Sequence, residues 1–125
     1  IHNIALRILV QGLIDFKLLK GSVDGNIESR AYSRFYMHGL GHWVGLDVHD
    51  VGGRWHEGKP VLLQAGMCTT IEPGLYINAD DDIPAAFHNI GIRIEDNVAV
   101  TANGCENYTA SAPKSVNDIQ ALMRG

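Results

Sequence analysis

An α+β fold is predicted by three features: helical apolar spacing confined to the first sixteen or so residues, strand-like alternation later in the chain, and glycine-, aspartate- and proline-rich breaks between the apolar runs. Ile1, Ile4, Ala5, Ile8, Leu9, Leu13 and Phe16 recur at helical spacing, interrupted by Gly12, and the helical region should end near Gly21. Ser22 stands where it can cap a second short helix before Tyr32. Strands are expected around residues 35–38, 43–48, 67–72, 90–95 and 97–101. Asn103-Gly104 is a hairpin signal leading into residues 106–110, and Ser115 with Asp118 resembles a capping box for a last helix up to about Met123. Residues 52–66 and 78–89 read as exposed loops, and there is no internal repeat.

Composition narrows the functional classes. With 125 residues, 46% apolar and 19% charged, the chain can form one globular domain with its own core. A formal charge of −4 without a basic stripe argues against nucleic acid as a partner. No apolar run approaches the roughly 18 residues of a membrane span, so no membrane partner is expected, and no signal peptide is visible. Two cysteines, Cys68 and Cys105, make no disulfide framework, which points to a reducing compartment; Cys68 is expected to be a buried thiol.

The densest chemistry lies in residues 37–50, MHGLGHWVGLDVHD, where His38, His42 and His49 stand among glycines. His38 and His42 have the spacing of a zinc-protease helix, but Gly39 occupies the glutamate position, and three glycines would each cost a helix about 1 kcal/mol relative to alanine. Extended or turning backbone is expected instead. Fully extended, His42 and His49 would lie about 23 Å apart, so sharing one site requires a bend, which Gly45 can supply. The bland alternative for each histidine is a loop or core role. Glu72 ends a strand before Pro73-Gly74 and has no local partner in the sequence. In residues 90–100, Ile90, Ile92, Ile94, Val98 and Val100 take one face, while Arg93 and Glu95 share the other. Glu95 thus has two readings, an ion pair with Arg93 or a functional carboxylate. His2, His56 and His88 read as surface histidines, the last two with a possible role in a substrate loop, and Trp43 and Trp55 as packing residues.

Together HGLGHWVGLDVHDVGG at residues 38–53, TIEPGLYI at 70–77 and GIRIEDNVAVT at 91–101 resemble the carboxy-terminal part of the catalytic domain of the pita-bread metallopeptidases, most closely the Xaa-Pro aminopeptidases, with prolidase next. The resemblance implies a pita-bread fold whose carboxy-terminal half, residues 1–125, carries a curved, mostly antiparallel sheet with flanking helices. It further implies two divalent metal ions, usually manganese, with His42, Glu72 and Glu95 among their ligands and Glu95 bridging. Position by position, His38 matches a histidine on the proline side of the substrate and His49 one beside the scissile carbonyl. Glu72 doubles as proton shuttle, and Arg93 matches an arginine that braces a ligand carboxylate. The activity implied is two-metal removal of the amino-terminal residue from peptides with proline second, by a homo-oligomeric, cytoplasmic enzyme. The family also takes two ligand aspartates upstream. Asp15 and Asp24, the only aspartates before His38, do not fit that strand, so the chain is expected to be a fragment with half a site, inactive alone. Prolidase, or a non-catalytic peptide-binding module on the same fold, is the alternative reading.

Overall fold

The computed structural model describes residues 1–125. Its elements in chain order are α1 (His2–Asp15), α2 (Val23–Glu28), a 3-10 turn (Ala31–Arg34), β1 (Trp55–His56), β2 (Lys59–Pro60), β3 (Cys68–Ile71), β4 (Gly74–Ile77), a second 3-10 turn (Ala85–Phe87), β5 (Ile90–Arg93), β6 (Asp96–Thr101), β7 (Gly104–Asn107) and α3 (Val116–Met123). Helices and antiparallel ladders in one chain make the expected α+β class. No helix is long and apolar enough to cross a membrane. The chain divides into two compact units, Ile1–Leu40 with Glu72–Arg93, and Gly41–Ile71 with Ile94–Gly125.

The first unit is built on α1, which runs straight through Gly12. The helix ends at Asp15 and not near Gly21, because Lys17 takes a left-handed conformation (φ 62°) and the Leu18 and Leu19 amides turn back onto the Leu13 carbonyl. Its buried stripe is Leu6, Val10 and Leu13, whereas Ile4 and Ile8, which the spacing put on the apolar face, are exposed. Full burial of each such side chain stabilises by about 1.5–3 kcal/mol. Ser22 caps α2 as expected, its hydroxyl accepting from the Gly25 amide. Residues 35–38 do not form a strand. Phe35 and Tyr36 close off the 3-10 turn and drop into the core, Phe35 against Leu13, Ile77 and Ile83, and Tyr36 against Leu6 and Val10.

In the same unit β4 pairs antiparallel with β5, Gly74 opposite Arg93 and Ile77 opposite Ile90. A strand after Pro73 was not anticipated. β3 ends at Ile71, and after Glu72 and Pro73 a new strand starts at Gly74. Residues 78–89 are less of a loop than their composition suggests. Ile83 is a core residue, His88 Nε2 bonds the Ile83 carbonyl at 2.7 Å, and Arg34 holds Asp82 (2.6 and 2.7 Å) and Asp80 (2.8 Å).

The second unit is a three-stranded sheet in the order β3-β6-β7, with the separate hairpin β1–β2 and α3. β1–β2 lies in the region expected to be loop. It turns tightly at Glu57 and Gly58, a pair outside the usual Asn-Gly signal. The β6–β7 hairpin turns at Ala102 and Asn103, so the strand begins at Gly104, two residues earlier than expected. Ser115 caps α3, accepting from the Asp118 amide and donating to its carboxylate. The apolar face expected along residues 90–100 is not the buried one: Ile90, Ile92 and Ile94 are exposed, and the buried residue of β6 is Ala99.

Asp96 ties the carboxyl end of this unit to β6. Thr109 Oγ1 donates to its carboxylate at 2.6 Å and Lys114 Nζ lies 3.0 Å away. These bonds, the threonine's first, hold its carboxyl below the ordinary carboxylate range. A depressed value in the folded state gives stability that is present above the unfolded value, near pH 4, and is lost as pH falls through the folded one. Denaturant melts between about pH 6 and pH 3 should show that loss, and Asp96→Asn should flatten it. An acid limb equally steep in the variant would remove Asp96 as its source.

Candidate metal centre and active site

Residues 38–53 form neither helix nor named strand, as their glycines predict, and β3 fixes their course. The strand expected at 43–48 is reduced to a short antiparallel contact. Thr70 N donates to the His42 carbonyl at 2.9 Å, Val44 N donates to the Cys68 carbonyl at 3.1 Å, and Trp43 forms a bridge with Thr69. The β3 threonines tighten it: His42 N donates to Thr70 Oγ1 at 2.9 Å, and Thr69 Oγ1 donates to the His42 carbonyl at 2.8 Å. This approach leaves no space for a β-carbon on Gly41, which would overlap the Thr70 carbonyl oxygen. Gly41→Ala is expected to destabilise by about 1–3 kcal/mol, the usual cost of overpacking. A thermal melt of the variant is the check, and an unchanged midpoint would contradict it.

After Val44 the backbone bends back. Asp50 N donates to the Trp43 carbonyl at 3.0 Å and Gly45 N to the Asp47 carbonyl at 3.2 Å. The Asp50 carboxylate lies where a Gly45 side chain would be, so the bend needs glycine there. The result is the anticipated convergence: the His42 and His49 rings meet edge to face with centroids 4.3 Å apart.

The donor chemistry at His42 fits a metal ion. Its Nδ1 lies 3.0 Å from the Trp43 carbonyl, which can only accept, so Nδ1 donates and the neutral ring carries its lone pair on Nε2. That is the tautomer a ligand needs, fixed by a backbone carbonyl as is usual around metals. A carboxylate oxygen of Glu95, in the same unit, lies within 4.8 Å of a His42 ring nitrogen. An imidazole nitrogen and a carboxylate oxygen at this spacing could both reach one divalent ion.

The first unit holds the other candidates. Glu72 follows β3 directly, donates its amide to the Leu40 carbonyl at 2.7 Å, and has a mostly buried side chain. Arg93 Nε lies 3.9 Å from Glu72 Oε2, so Glu72 has the partner that the sequence did not indicate. The β4–β5 register explains it. Arg93 sits opposite Gly74, two residues from Glu72, and Gly74 has no side chain to stand between them.

His38 is held by two bonds, Nδ1 to the Gly39 carbonyl at 2.7 Å and Nε2 to the Tyr76 hydroxyl at 3.1 Å. The same hydroxyl accepts from Arg93 Nη1 at 3.4 Å. Sequence reasoning missed Tyr76. The signal was present in the strand parity, because Tyr76 pairs with Gly91 and shares a face with Arg93 on the neighbouring strand.

The remaining candidates lie elsewhere. His56 and Trp55 are exposed on β1, so Trp55 is not a packing residue. Its hairpin is two residues long on each strand and has no covering element to bury it. Trp43 is half-buried, with its ring against Gly52. His2 stacks on Tyr36 with centroids 6.3 Å apart. Both cysteines are free thiols, Cys68 half-buried and Cys105 exposed.

Comparison with known proteins follows the same residues. The model of metallopeptidase family M24 matches residues 1–102. The chain is 52% identical over 118 residues to a Xaa-Pro aminopeptidase of Haemophilus influenzae, covering 94% of the chain and 27% of that protein. It is 49% identical over 118 residues to the Xaa-Pro aminopeptidase of Escherichia coli, covering 94% and 26%. Among solved structures, the Pseudomonas aeruginosa aminopeptidase PepP superposes with a TM-score of 0.94 at 47% identity, over 98% of the chain and 28% of its own. Proline aminopeptidase P II from Yersinia pestis gives 0.87 at 49% identity, over 95% and 27%. The chain spans about a quarter of the length of these relatives.

Proposed function

The chain belongs to metallopeptidase family M24 and has its pita-bread fold, and from that premise we propose that the full-length protein is a metal-dependent Xaa-Pro aminopeptidase. Residues 1–125 are then the carboxy-terminal part of its catalytic domain. The observation that carries the proposal is the pair His42 and Glu95, with the imidazole tautomer fixed for coordination and His49 against it. The substrate class rests on relatives named Xaa-Pro aminopeptidase.

In this reading Glu72 completes the ligand set with His42 and Glu95, and the remaining ligands of a two-ion centre come from outside these residues. The ions, manganese in this proposal, supply Lewis acidity and a nucleophile at neutral pH. The Glu72 carboxylate takes the proton of the attacking water and delivers it to the departing prolyl nitrogen. Arg93 keeps that carboxylate oriented. His49 donates an imidazole N–H to the scissile carbonyl oxygen as negative charge gathers there. His38 borders the proline ring, which brings no amide proton of its own. Free thiols fit a reducing compartment such as the cytoplasm, and a homo-oligomer is included in the proposal.

The test is hydrolysis of a Xaa-Pro-Yaa peptide by the full-length protein, stripped with a chelator and reloaded with manganese, zinc or cobalt in turn. Release of the first residue that depends on metal supports the reading, with manganese the best activator. A Xaa-Pro dipeptide cleaved in preference to longer peptides would turn it to prolidase, and no cleavage with any ion would overturn it. Sedimentation of the same sample tests the oligomer.

A further inference from the structure

We infer that Lys114 is a positioning residue for the candidate metal centre: with Thr109 it locks the carboxyl tail onto the Asp96 carboxylate and so fixes Glu95, the preceding residue, in its approach to His42. The inference rests on the proposed metallopeptidase for the meaning of that approach. Its structural content stands on the bonds of one compact unit, which holds all of these residues.

Glu95 falls between strands. β5 ends at Arg93 and β6 begins at Asp96, so Ile94 and Glu95 belong to neither ladder, and the backbone at Glu95 follows whatever holds Asp96. On one side Asp96 is paired with Ile71 of β3. On the other the β6–β7 ladder stops at Val98 opposite Asn107, two residues short of Asp96.

Side chains complete the edge that the backbone leaves open. Tyr108 N donates to the Asn97 carbonyl at 2.9 Å, but the Asn97 amide has a hydroxyl for its acceptor, Thr109 Oγ1 at 3.1 Å. That hydroxyl gives its proton to Asp96 Oδ1 at 2.6 Å, and the Thr109 amide is held by Asn107 Oδ1 at 2.9 Å. Lys114 Nζ closes the knot, 3.0 Å from the same Asp96 oxygen, 2.7 Å from the Thr109 carbonyl and 3.1 Å from the Ala112 carbonyl. An ammonium has three protons, and these three acceptors use them all. Ser115, the next residue, caps α3, so the lysine backbone is anchored from its other side as well.

The knot matters because of what stands beside it. A carboxylate oxygen of Glu95 lies within 4.8 Å of a His42 ring nitrogen, and His42 is itself bonded to Thr69 and Thr70 of β3. β3 therefore positions the imidazole directly and Asp96 from one side, while the tail positions Asp96 from the other. Binding groups need placement to within about 0.5 Å to act together. The Lys114 and Asp96 side chains are only 25% and 22% exposed, so their bond is partly withdrawn from water and from the screening that makes surface pairs weak. Without the ammonium the first residues of β6 keep only the β3 side, where a strand end frays most readily, and Glu95 moves with them.

Hydrogen exchange and manganese titration of the metal-free full-length protein test the inference. In Lys114→Met, which keeps the apolar stem and removes the ammonium, the Asn97 amide should exchange about threefold to tenfold faster, the equivalent of one hydrogen bond, while the amides of α1 keep their wild-type rates. Unchanged exchange at Asn97 would overturn the lock. Calorimetry should show manganese bound about tenfold more weakly, the low end of the loss that follows removal of a group standing behind a metal ligand. Faster exchange with wild-type affinity would overturn the positioning role and leave a tail anchor. Thr109→Val should weaken manganese binding in the same way, whereas Thr109→Ser, which keeps the hydroxyl, should not; equal losses in both would trace the effect to packing and overturn the inference. Wild-type protein that binds no manganese would overturn the metal reading and the role of Lys114 with it. Failure confined to the variants would overturn the inference alone, so the two are distinguishable.

Discussion

Glu72→Gln in the full-length protein is expected to lower turnover of a Xaa-Pro peptide by about 10² to 10⁴, the usual worth of a general acid–base group. Glutamine keeps the volume and the backbone of the site, including the amide bond to Leu40. It removes the negative charge facing Arg93 at 3.9 Å, and with it the anionic donor and proton carrier that the proposal assigns to this residue. Loss of ligand charge and loss of proton transfer are separated by metal analysis and by steady-state kinetics at saturating manganese. A variant with near-normal turnover at saturating metal would exclude Glu72 from both roles.

His49→Ala is expected to lower turnover by about 10² to 10³, the cost of one oxyanion donor, while metal content stays close to that of the wild type. The separation is possible because His42 does not depend on His49 for its position. Its backbone is bonded to Thr69 and Thr70, and its Nδ1 to the Trp43 carbonyl. Removing the neighbouring ring takes away an edge-to-face contact at 4.3 Å and none of those bonds. If the ions leave with the His49 side chain, the residue is a ligand and the division of roles is wrong.

Much of this was legible in the residues, and the exceptions share a cause. Local rules worked where the determinant is local: Ser22 and Ser115 cap their helices, residues 38–53 avoid helix, and the 42–50 segment bends at glycine. They failed where burial depends on distant residues. The helical spacing of Ile1, Ile4 and Ile8 is real, yet the buried stripe is Leu6, Val10 and Leu13, because Tyr36, Val23 and Ile27 lie on that side. Periodicity identifies an apolar face and cannot say which of two is covered. Arg93 is the same case in the site. Alternation along its own strand could not show the contact with Glu72, which the neighbouring strand brings about. Tyr76 escaped notice because a tyrosine in an apolar strand reads as packing until its hydroxyl has a partner.

The short bend between Trp43 and Asp50 also sets an order of events in folding. His42 and His49 are seven positions apart, and the loop that joins their rings is closed by the Asp50 amide on the Trp43 carbonyl. Loops of this length close in about 10 to 100 ns. Glu95 reaches His42 only when β6 has found β3, a pairing across more than twenty intervening residues that carries a larger entropic penalty and forms more slowly. The imidazole pair is therefore expected to form before the carboxylate joins it as the chain folds. Rates of metal capture measured during refolding would follow the zipping of the β3–β6 ladder and not the closure of the histidine loop.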